Sequence, residues 1–565
     1  MTEAHIDKRD LLTVAVLSIV FFSVAAWNLG MTQTPLTTWK TTENKSFYVD
    51  IGGFKNTGNV YFLVKSGNAT VEVYTGSPGN WSYSTTVTIE GYYSWSQLYI
   101  NKDTQYVRFD FQPQPSSFPP PPFIEIAEMA ILSQDNERIA VNAIATEGAP
   151  DKDLLKLIDE QSLVQCPPTY MSETFFDEIY YVRTAENYLK LQQPYEWTHP
   201  PLGKFIIASG ILVFGYNPFG WRIMGVVFAT LMITLIYILG KELFGTWIGA
   251  FASAFLLTFD FMVFTMGRMA TVDTYVVFFS LASQLFFLIY VKNVLKNGWK
   301  TSVLPLLLAV LFFALGFSTK WLVLYGFLGQ LAILLALRLK EVIKPKDGLS
   351  AKISAFFNRP FFQLYFFLLL AILVYFLTYI PDMLAGRSLV DVLQLQGSMY
   401  IYHSTLNATH PFASSWWTWP LMLRPLWLYA SYLPANIVST IVLMGNPAVW
   451  WVGFAFLILA VEEAVRSKDF ACIFITVLFF FQWLPYVFIS RITFIYHFYV
   501  NVPFLCLATA YFLNKYWSRK WGKATALAYF AGVVVLFWLF YPAISGTPTP
   551  TSSIDSLKWL GSWVF

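Results

Sequence analysis

Two neighbouring carboxylates, Asp177 and Glu178, precede the polar motif Thr198-His199-Pro200-Pro201-Leu202-Gly203-Lys204. A carboxylate can take the proton from an attacking hydroxyl group, which is worth about 10²- to 10⁴-fold in rate. Acidic residues also favour the first turn of a helix, so an ordinary helix start explains the pair as well. The nearby motif supplies a cation and favours the catalytic interpretation. Asp177 is the expected base, and the division of roles between the two carboxylates stays open.

A second set of residues consists of cations at or near the ends of apolar runs. A cation buried at such a place costs a few kcal/mol without a partner, and an anionic ligand would supply that partner. Snorkelling to lipid headgroups is the alternative for each of them. Asp273, near Arg268, can simply pair with that arginine. The set comprises Lys204, Arg222, Arg268, Lys320, Arg387, Arg424 and Arg491.

Histidine and tryptophan side chains add candidates for binding a sugar or a phosphate. His403, His410 and His497 can donate hydrogen bonds, although a buried histidine with satisfied hydrogen bonds is an equal alternative. Trp416, Trp417 and Trp419 can form a platform for a sugar or a peptide. An aromatic belt at the membrane interface explains them at least as well.

The composition shows which solvent surrounds these candidates. Of the 565 residues, 56% are hydrophobic and 13% are charged, and the mean hydropathy is +0.51. These values exclude a water-soluble chain of this length and predict an integral membrane protein. The net charge of +3 and the three scattered cysteines indicate neither nucleic-acid binding nor a disulfide framework.

Apolar runs long enough to approach the width of a bilayer predict about 11 transmembrane helices. Lys and Arg collect in alternate loops, which places the N-terminus in the cytoplasm and the C-terminus outside. The apolar segment 429–443 would break this alternation as a further span, so it is interpreted as interfacial or re-entrant. The predicted runs are 11–27, 221–239, 247–264, 272–291, 303–317, 321–337, 361–380, 449–461, 470–489, 494–512 and 527–540.

Two large regions then lie outside the cytoplasm, and the first of them begins with β-structure. Alternating strand patterns and turn clusters over 45–90, followed by Ile124-Glu125-Ile126-Ala127-Glu128, predict an extracytoplasmic β-sandwich. It resembles a discoidin-type module, a fold often used to bind carbohydrate. A structural cap on the catalytic part is the equal alternative.

These assignments divide the chain into six predicted regions. They are the N-terminal tail and first helix (1–29), the sandwich (30–142), a catalytic loop (143–220), helices 2–7 (221–380), an outer signature loop (381–447), and helices 8–11 with an outer C-terminal tail (448–565).

The motifs of the membrane part resemble the protein O-mannosyltransferase family, in its prokaryotic branch. That family belongs to the GT-C superfamily of membrane glycosyltransferases, which use polyprenyl-phosphate sugars. The inserted sandwich departs from the familiar pattern and leaves the acceptor open. The matching motifs are Phe176-Asp177-Glu178, His199 to Lys204, Gly267-Arg268-Met269-Ala270-Thr271-Val272-Asp273, Gly316 to Trp321, Tyr402-His403-Ser404, Thr409-His410-Pro411-Phe412, Trp416-Trp417-Thr418-Trp419-Pro420, Gly445-Asn446-Pro447 and Arg491 to His497.

The resemblance implies an inverting transfer of mannose from a polyprenyl (dolichyl) phosphate to Ser or Thr hydroxyl groups of proteins, on the extracytoplasmic face of the cell membrane. Asp177 and Glu178 are the expected catalytic residues. The donor phosphate or sugar is expected at Lys204, Arg222, His199, Arg268, Asp273, Arg491 and His497. The acceptor or sugar is expected at His403, His410, Trp416 and Trp417.

Other partners and functions stay open at this point. Membrane lipids are expected partners and nucleic acid is not. No cofactor is expected; Asp177, Glu178 and a histidine could hold a divalent cation, but no close ligand spacing supports that. The alternatives are transfer of another lipid-linked sugar to a lipid or glycan acceptor, or a non-catalytic membrane glycan receptor.

Overall fold

The computed structural model describes residues 5–115, 121–342, 348 and 359–565. One helix, α1 (Lys8–Ala26), precedes an N-terminal β-domain, and a mainly helical body follows it. The tip of the predicted sandwich at 116–120 and most of the basic loop 338–359 lie outside the described residues.

The N-terminal β-domain is the predicted β-sandwich, built on one long bent strand. Its strands are β1 (Trp39–Thr41), β2 (Lys45–Ser77), β3 (Asn80–Gly91), β4 (Ser94–Pro113), β5 (Ile124–Ser133), β6 (Arg138–Ile139) and β7 (Ala143–Ala145). Both ends of β2 pair antiparallel with the second half of β4, so β2 folds back over itself. Alternate apolar residues such as Phe47, Phe62 and Phe109 therefore face one buried core. The discoidin resemblance stays a prediction.

Helices make up most of the remaining chain. They are α2 (Glu178–Leu189), α3 (Leu202–Phe214), α4 (Pro218–Phe244), α5 (Trp247–Thr258), α6 (Phe261–Gly267), α7 (Asp273–Asn297), α8 (Leu304–Phe317), α9 (Val323–Val342), α10 (Arg359–Leu377), α11 (Ile380–Leu384), α12 (Leu389–Thr405), α13 (Pro447–Arg466), α14 (Phe470–Trp483), α15 (Val502–Tyr516), α16 (Lys520–Ser545) and α17 (Thr551–Asp555).

The described helices match the predicted apolar runs. Nine are long and apolar enough to cross a membrane, or up to ten if the bent pair α5 and α6 is one span. The remaining predicted run, 303–317, is the shorter apolar helix α8. The chain is thus a multi-pass membrane protein, as predicted from composition.

Basic residues of different predicted cytoplasmic loops meet at one end of the helical body. Lys241, at the end of α4, forms an ion pair of 2.8 Å with Asp10, at the start of α1. Lys292 of α7 pairs with Glu242 of α4. These pairs place the ends of three helices on one side of the body.

The segment 429–443 is neither a span nor a re-entrant helix but part of a β-hairpin. Strands β8 (Leu426–Leu433) and β9 (Ile437–Leu443) pair antiparallel, and β10 (Thr549–Pro550) adds to β9. The β-branched residues of β9 favour a strand. Ala435 and Asn436 take positive φ angles of 59° and 57°, which form the tight connection. An apolar run of this length cannot be assigned from hydropathy alone.

Candidate active site

Asp177 follows a residue with an unusual backbone conformation. The bulky Phe176 has φ of 50°, which is rare for such a residue and recurs at functional sites. The carboxyl group of Asp177 does not cap α2, so the ordinary helix-start explanation does not account for it. Within the described ranges, no group donates a hydrogen bond to this partly exposed carboxyl.

The electrostatic surroundings of Asp177 favour its protonated form. Burial and the nearby Asp273 raise its pKa to about 7, Glu196 adds to this, and Lys320 opposes it. Lys320 and Asp273 form an ion pair of 2.8 Å. Pairing with Arg268 was the alternative to the predicted donor-binding role of Asp273, but the ion-pair partner of Asp273 is Lys320. A carboxyl group with a pKa near neutrality can accept a proton efficiently at physiological pH.

Glu178, the next residue, has a different environment. Its Oε1 accepts from Nε of Arg222 (2.8 Å) and from the backbone N–H of Ala270 (2.9 Å). Its Oε2 accepts from Nη2 of Arg222 (2.7 Å) and from the backbone N–H of Phe175 (3.2 Å). Both side chains of this bidentate pair are fully buried. Glu178 therefore holds the chain around Asp177 rather than facing open space.

All five N–H groups of Arg222 are used within the protein. Besides its bonds to Glu178, Nη1 donates to the carbonyls of Leu29 (3.1 Å) and Tyr170 (2.8 Å), and Nη2 donates to the carbonyl of Glu173 (2.7 Å). A guanidinium has five donors. The expected phosphate role of Arg222 does not fit this geometry, because no donor is left for a ligand.

Lys204 is saturated in a similar way. Its ammonium donates to Glu196 Oε2 (2.7 Å) and to the carbonyls of Glu196 (2.9 Å) and His199 (2.7 Å). An ammonium has three donors, and this side chain is only 1% exposed. Lys204 thus fixes the turn that carries His199, and its predicted direct contact with a phosphate does not fit either.

Arg268 forms hydrogen bonds with the C-terminal end of α1. Its guanidinium donates to the carbonyls of Ala25 and Trp27 (both 2.7 Å) and of Asn28 (2.8 Å). The carbonyls of Ala25, Trp27 and Asn28 lie in or directly after the last turn of α1 and need donors. Arg268 therefore caps a helix, and its predicted role at the donor has no support in this geometry.

A cavity of about 380 Å³ opens next to Lys320. It is lined by Lys320 and Arg491 together with His199, His403, His497 and Tyr486. Lys320 makes its ion pair with Asp273 through one N–H, so its ammonium retains donors for a ligand. The same lysine lowers the pKa of the Asp177 carboxyl, so a cation that lines the cavity also acts on Asp177, which is itself not among the lining residues.

A second cavity of about 550 Å³ adjoins the first, and Arg491 lines both. His410, Trp416 and Trp417 line this second cavity. Among the described residues, no acidic side chain forms an ion pair with Arg491. Arg491 is therefore a cation with free donors at the junction of two open spaces.

The histidines of the first cavity are held in uncharged forms. Burial lowers the pKa of His403 to about 4, and the neighbouring His199 contributes. Burial likewise lowers the pKa of His199. The Nε2 of His403 lies 2.8 Å from the carbonyl of Thr198, which requires a proton on Nε2. His497 is buried and stacks on Trp419.

The sequence pattern did not single out two acidic residues that organise this site. Glu196 pairs with both Lys204 (2.7 Å) and His199 (3.1 Å). Glu173 is buried and contacts three separate parts of the chain. Its only sequence signal was its position shortly before Asp177. No group of three metal-ligating side chains occurs in the parts of the chain that the structure describes.

Comparison with solved structures identifies the fold of the helical body. The fold matches the Saccharomyces cerevisiae protein O-mannosyltransferase Pmt1–Pmt2 complex bound to the sugar donor, with a TM-score of 0.58 and 15% identity. The match covers 69% of this chain and 89% of that chain. The helical body thus has the fold of the GT-C membrane glycosyltransferases.

Two family models match the chain in succession. The model for dolichyl-phosphate-mannose-protein mannosyltransferase matches residues 198–355, and the model for the C-terminal four-transmembrane region of protein O-mannosyltransferase matches 388–563. Together they cover more than half of the sequence. The chain belongs to the protein O-mannosyltransferase family. Both matched ranges begin after Asp177, so its role and that of Glu178 rest on the geometry above.

Two bacterial relatives agree with this assignment. The polyprenol-phosphate-mannose–protein mannosyltransferase of Mycolicibacterium smegmatis is 27% identical over an alignment of 428 residues, and the match covers 65% of this chain and 81% of the relative. The enzyme of the same name from Corynebacterium glutamicum is 25% identical over 425 residues, with the same coverage.

Proposed function

We propose that this chain transfers mannose from a polyprenyl-phosphate carrier to Ser or Thr hydroxyl groups of proteins. Family membership supports the reaction, and the names of the bacterial relatives support this donor and acceptor. The observation that carries the proposal is the cavity lined by Lys320 and Arg491, two cations with free donors. Lys320 pairs with Asp273 and also acts on the carboxyl of Asp177.

Asp177 acts as the base in this proposal. The acceptor oxygen attacks the anomeric carbon from the side opposite the phosphate, and its proton passes to the Asp177 carboxylate. The bond between the anomeric carbon and the phosphate oxygen breaks with its electron pair on the phosphate, so the configuration inverts. No general acid is needed, because the lipid phosphate is already a good leaving group.

Arg491 and Lys320 hold the phosphate of the carrier. Fixed positive charge stabilises the negative charge that grows on the departing oxygen. Arg491 can form a bidentate contact with a phosphate, and Lys320 links the same cavity to Asp273. In this proposal His497 and His199 bind the sugar in the first cavity, which they line. His410, Trp416 and Trp417, which line the second cavity, bind the acceptor.

The site is proposed to face the outside of a cell membrane. The ion pairs of Lys241 and Lys292 support this orientation, because they gather residues of predicted cytoplasmic loops at one end of the body. Reporters fused near Lys520 should lie inside, and those near Ser77 and His410 should lie outside. The orientation is wrong if Lys520 and His410 are found on the same side.

The decisive experiment is a transfer assay with purified protein, labelled polyprenyl-phosphate mannose and a Ser/Thr-rich peptide. The expected result is mannosyl peptide from the wild type and almost none from Asp177→Asn. Label transferred to a lipid or a glycan instead would establish the alternative acceptor. Binding of glycan without any turnover of the donor would establish the receptor alternative.

A further inference from the structure

The turn between β3 and β4 of the sandwich contacts the segment that leads into Asp177. The backbone N–H of Thr174 donates to the carbonyl of Tyr93 (2.9 Å), and its hydroxyl donates to the carbonyl of Tyr92 (2.6 Å). The indole N–H of Trp95 donates to the hydroxyl of Ser172 (3.2 Å). These bonds attach the sandwich to the chain just before Asp177.

Glu173 joins three parts of the molecule at this place. Its carboxylate accepts from the backbone N–H of Trp95 in the sandwich (2.9 Å) and from the hydroxyl of Tyr429 in β8 (2.8 Å). Its carbonyl accepts from Arg222 in α4 (2.7 Å). A side chain that bridges a β-domain, a hairpin and a membrane helix fixes the backbone at its own position.

The sandwich also contacts the chain that follows Asp177. Lys65 of β2 forms an ion pair of 2.9 Å with Glu186 of α2, the helix that begins directly after Asp177. The hydroxyl of Tyr92 donates to the same carboxylate. The backbone at Asp177 is therefore held on both sides by one domain.

Strain at two residues agrees with this arrangement. Tyr93, at the tip of the turn, and Phe176, next to Asp177, both have φ of 50°. Such conformations persist only where surrounding contacts enforce them. The hydrogen bonds of Glu173 and Thr174 connect the turn at Tyr93 with the segment at Phe176 and supply such contacts.

We propose that the sandwich positions the catalytic carboxylate, with Glu173 as the main positioning residue. This inference rests on the proposed function of Asp177. It gives the domain a role in turnover that does not depend on binding a glycan. A small displacement of a reacting group lowers the rate sharply, and about 1 Å can cost 10²-fold.

The test compares Glu173→Ala with Glu160→Ala in the full-length protein, assayed with a short Ser/Thr peptide. Glu160 is a matched control, since its carboxylate also accepts backbone bonds near the sandwich, from Leu36 (2.8 Å) and Thr37 (2.7 Å). For Glu173→Ala, kcat should fall on the order of 10-fold with KM nearly unchanged. Glu160→Ala should retain wild-type kinetics.

A pH profile separates positioning from a general loss of folded enzyme. Displacing Asp177 changes its distances to Asp273, Lys320 and Glu196, so the acid limb of kcat should move in Glu173→Ala. Burial raises the pKa of Glu173 itself to about 7, so only a shift that is absent from Glu173→Gln is assigned to the displacement. Fewer active molecules would lower the whole profile without moving it. Glu173→Gln keeps an acceptor for Trp95 but carries no charge, and it should restore both the rate and the position of the limb.

Distinct results overturn the inference and the proposed function. If the wild type transfers mannose and Glu173→Ala matches it in kcat and in the acid limb, the positioning role is wrong. If the wild type itself transfers no mannose, the proposed function fails first. Should Glu173→Ala not fold, Thr174→Val removes the hydroxyl bonds to the carbonyls of Tyr92 (2.6 Å) and Tyr93 (3.4 Å) but keeps the backbone bond to Tyr93. An unchanged kcat in that variant overturns the inference.

Discussion

The cluster around Arg222 and the cavity around Arg491 both contain arginine, but they differ in what those side chains contact. Arg222 uses every N–H group within the protein, whereas Arg491 lines two cavities and has no acidic partner among the described residues. The same contrast separates Glu178, with four donors, from Asp177, with none in the described chain. Free hydrogen-bonding capacity, rather than charge, therefore separates a ligand site from a structural one.

The largest expected effect comes from removing the charge partner of Arg222 in its buried cluster. Glu178→Ala leaves the buried Arg222 without its charge partner, which should cost about 3–5 kcal/mol in the free energy of unfolding. Chemical unfolding in detergent, with Asp177→Ala as the control, measures this. Equal stability of the two variants would remove the distinction between the carboxylates.

Replacing Asp177 tests the carboxylate that has no hydrogen-bond donor among the described residues. Asp177→Asn keeps the shape but removes the base, so turnover should fall by roughly 10²-fold or more while donor affinity stays near normal. Single-turnover transfer and lipid-phosphate binding on the same preparation check both parts. A variant that keeps most of its rate would transfer the role of base to Glu178.

Arg491→Met should weaken donor binding by roughly 10- to 100-fold, because charge-assisted hydrogen bonds contribute about 1.5–3 kcal/mol. Arg424→Met is the matched control, as Arg424 is an exposed arginine of the same outer region. Binding of the polyprenyl-phosphate donor is the measurement. Equal losses in both variants would indicate a general effect of surface charge, and Arg491 would lose its assignment.

The smallest effect is the pH dependence of turnover. With a pKa of about 7, Asp177 is protonated at lower pH and cannot accept a proton, so activity should be lost as the pH falls through about 7. One unit below that value the rate should be roughly tenfold under its plateau. The limb is measured on kcat with saturating donor. A flat profile between pH 5 and 8 would exclude Asp177 as the titrating base.

The sequence by itself determined that the chain lies in a membrane, where its spans run and which segment carries the candidate site. Long apolar runs such as 221–239 predict membrane helices because a helix satisfies its own backbone groups within one segment. The sandwich was predictable from strand alternation, and Asp177 from its acidic neighbour and the motif after it. All of these signals are local in the chain.

Only the tertiary structure decided which charged side chains were left for a ligand. Arg222, Lys204 and Arg268 had the same sequence signature as Lys320 and Arg491, yet their donors are consumed by partners from other segments, such as Leu29 for Arg222 and Ala25 for Arg268. The pairing of Asp273 with Lys320 and the bridge at Glu173 likewise depend on residues that are remote in sequence. Hydropathy encodes where a segment lies, whereas the partner of a buried charge is fixed only when remote segments pack together.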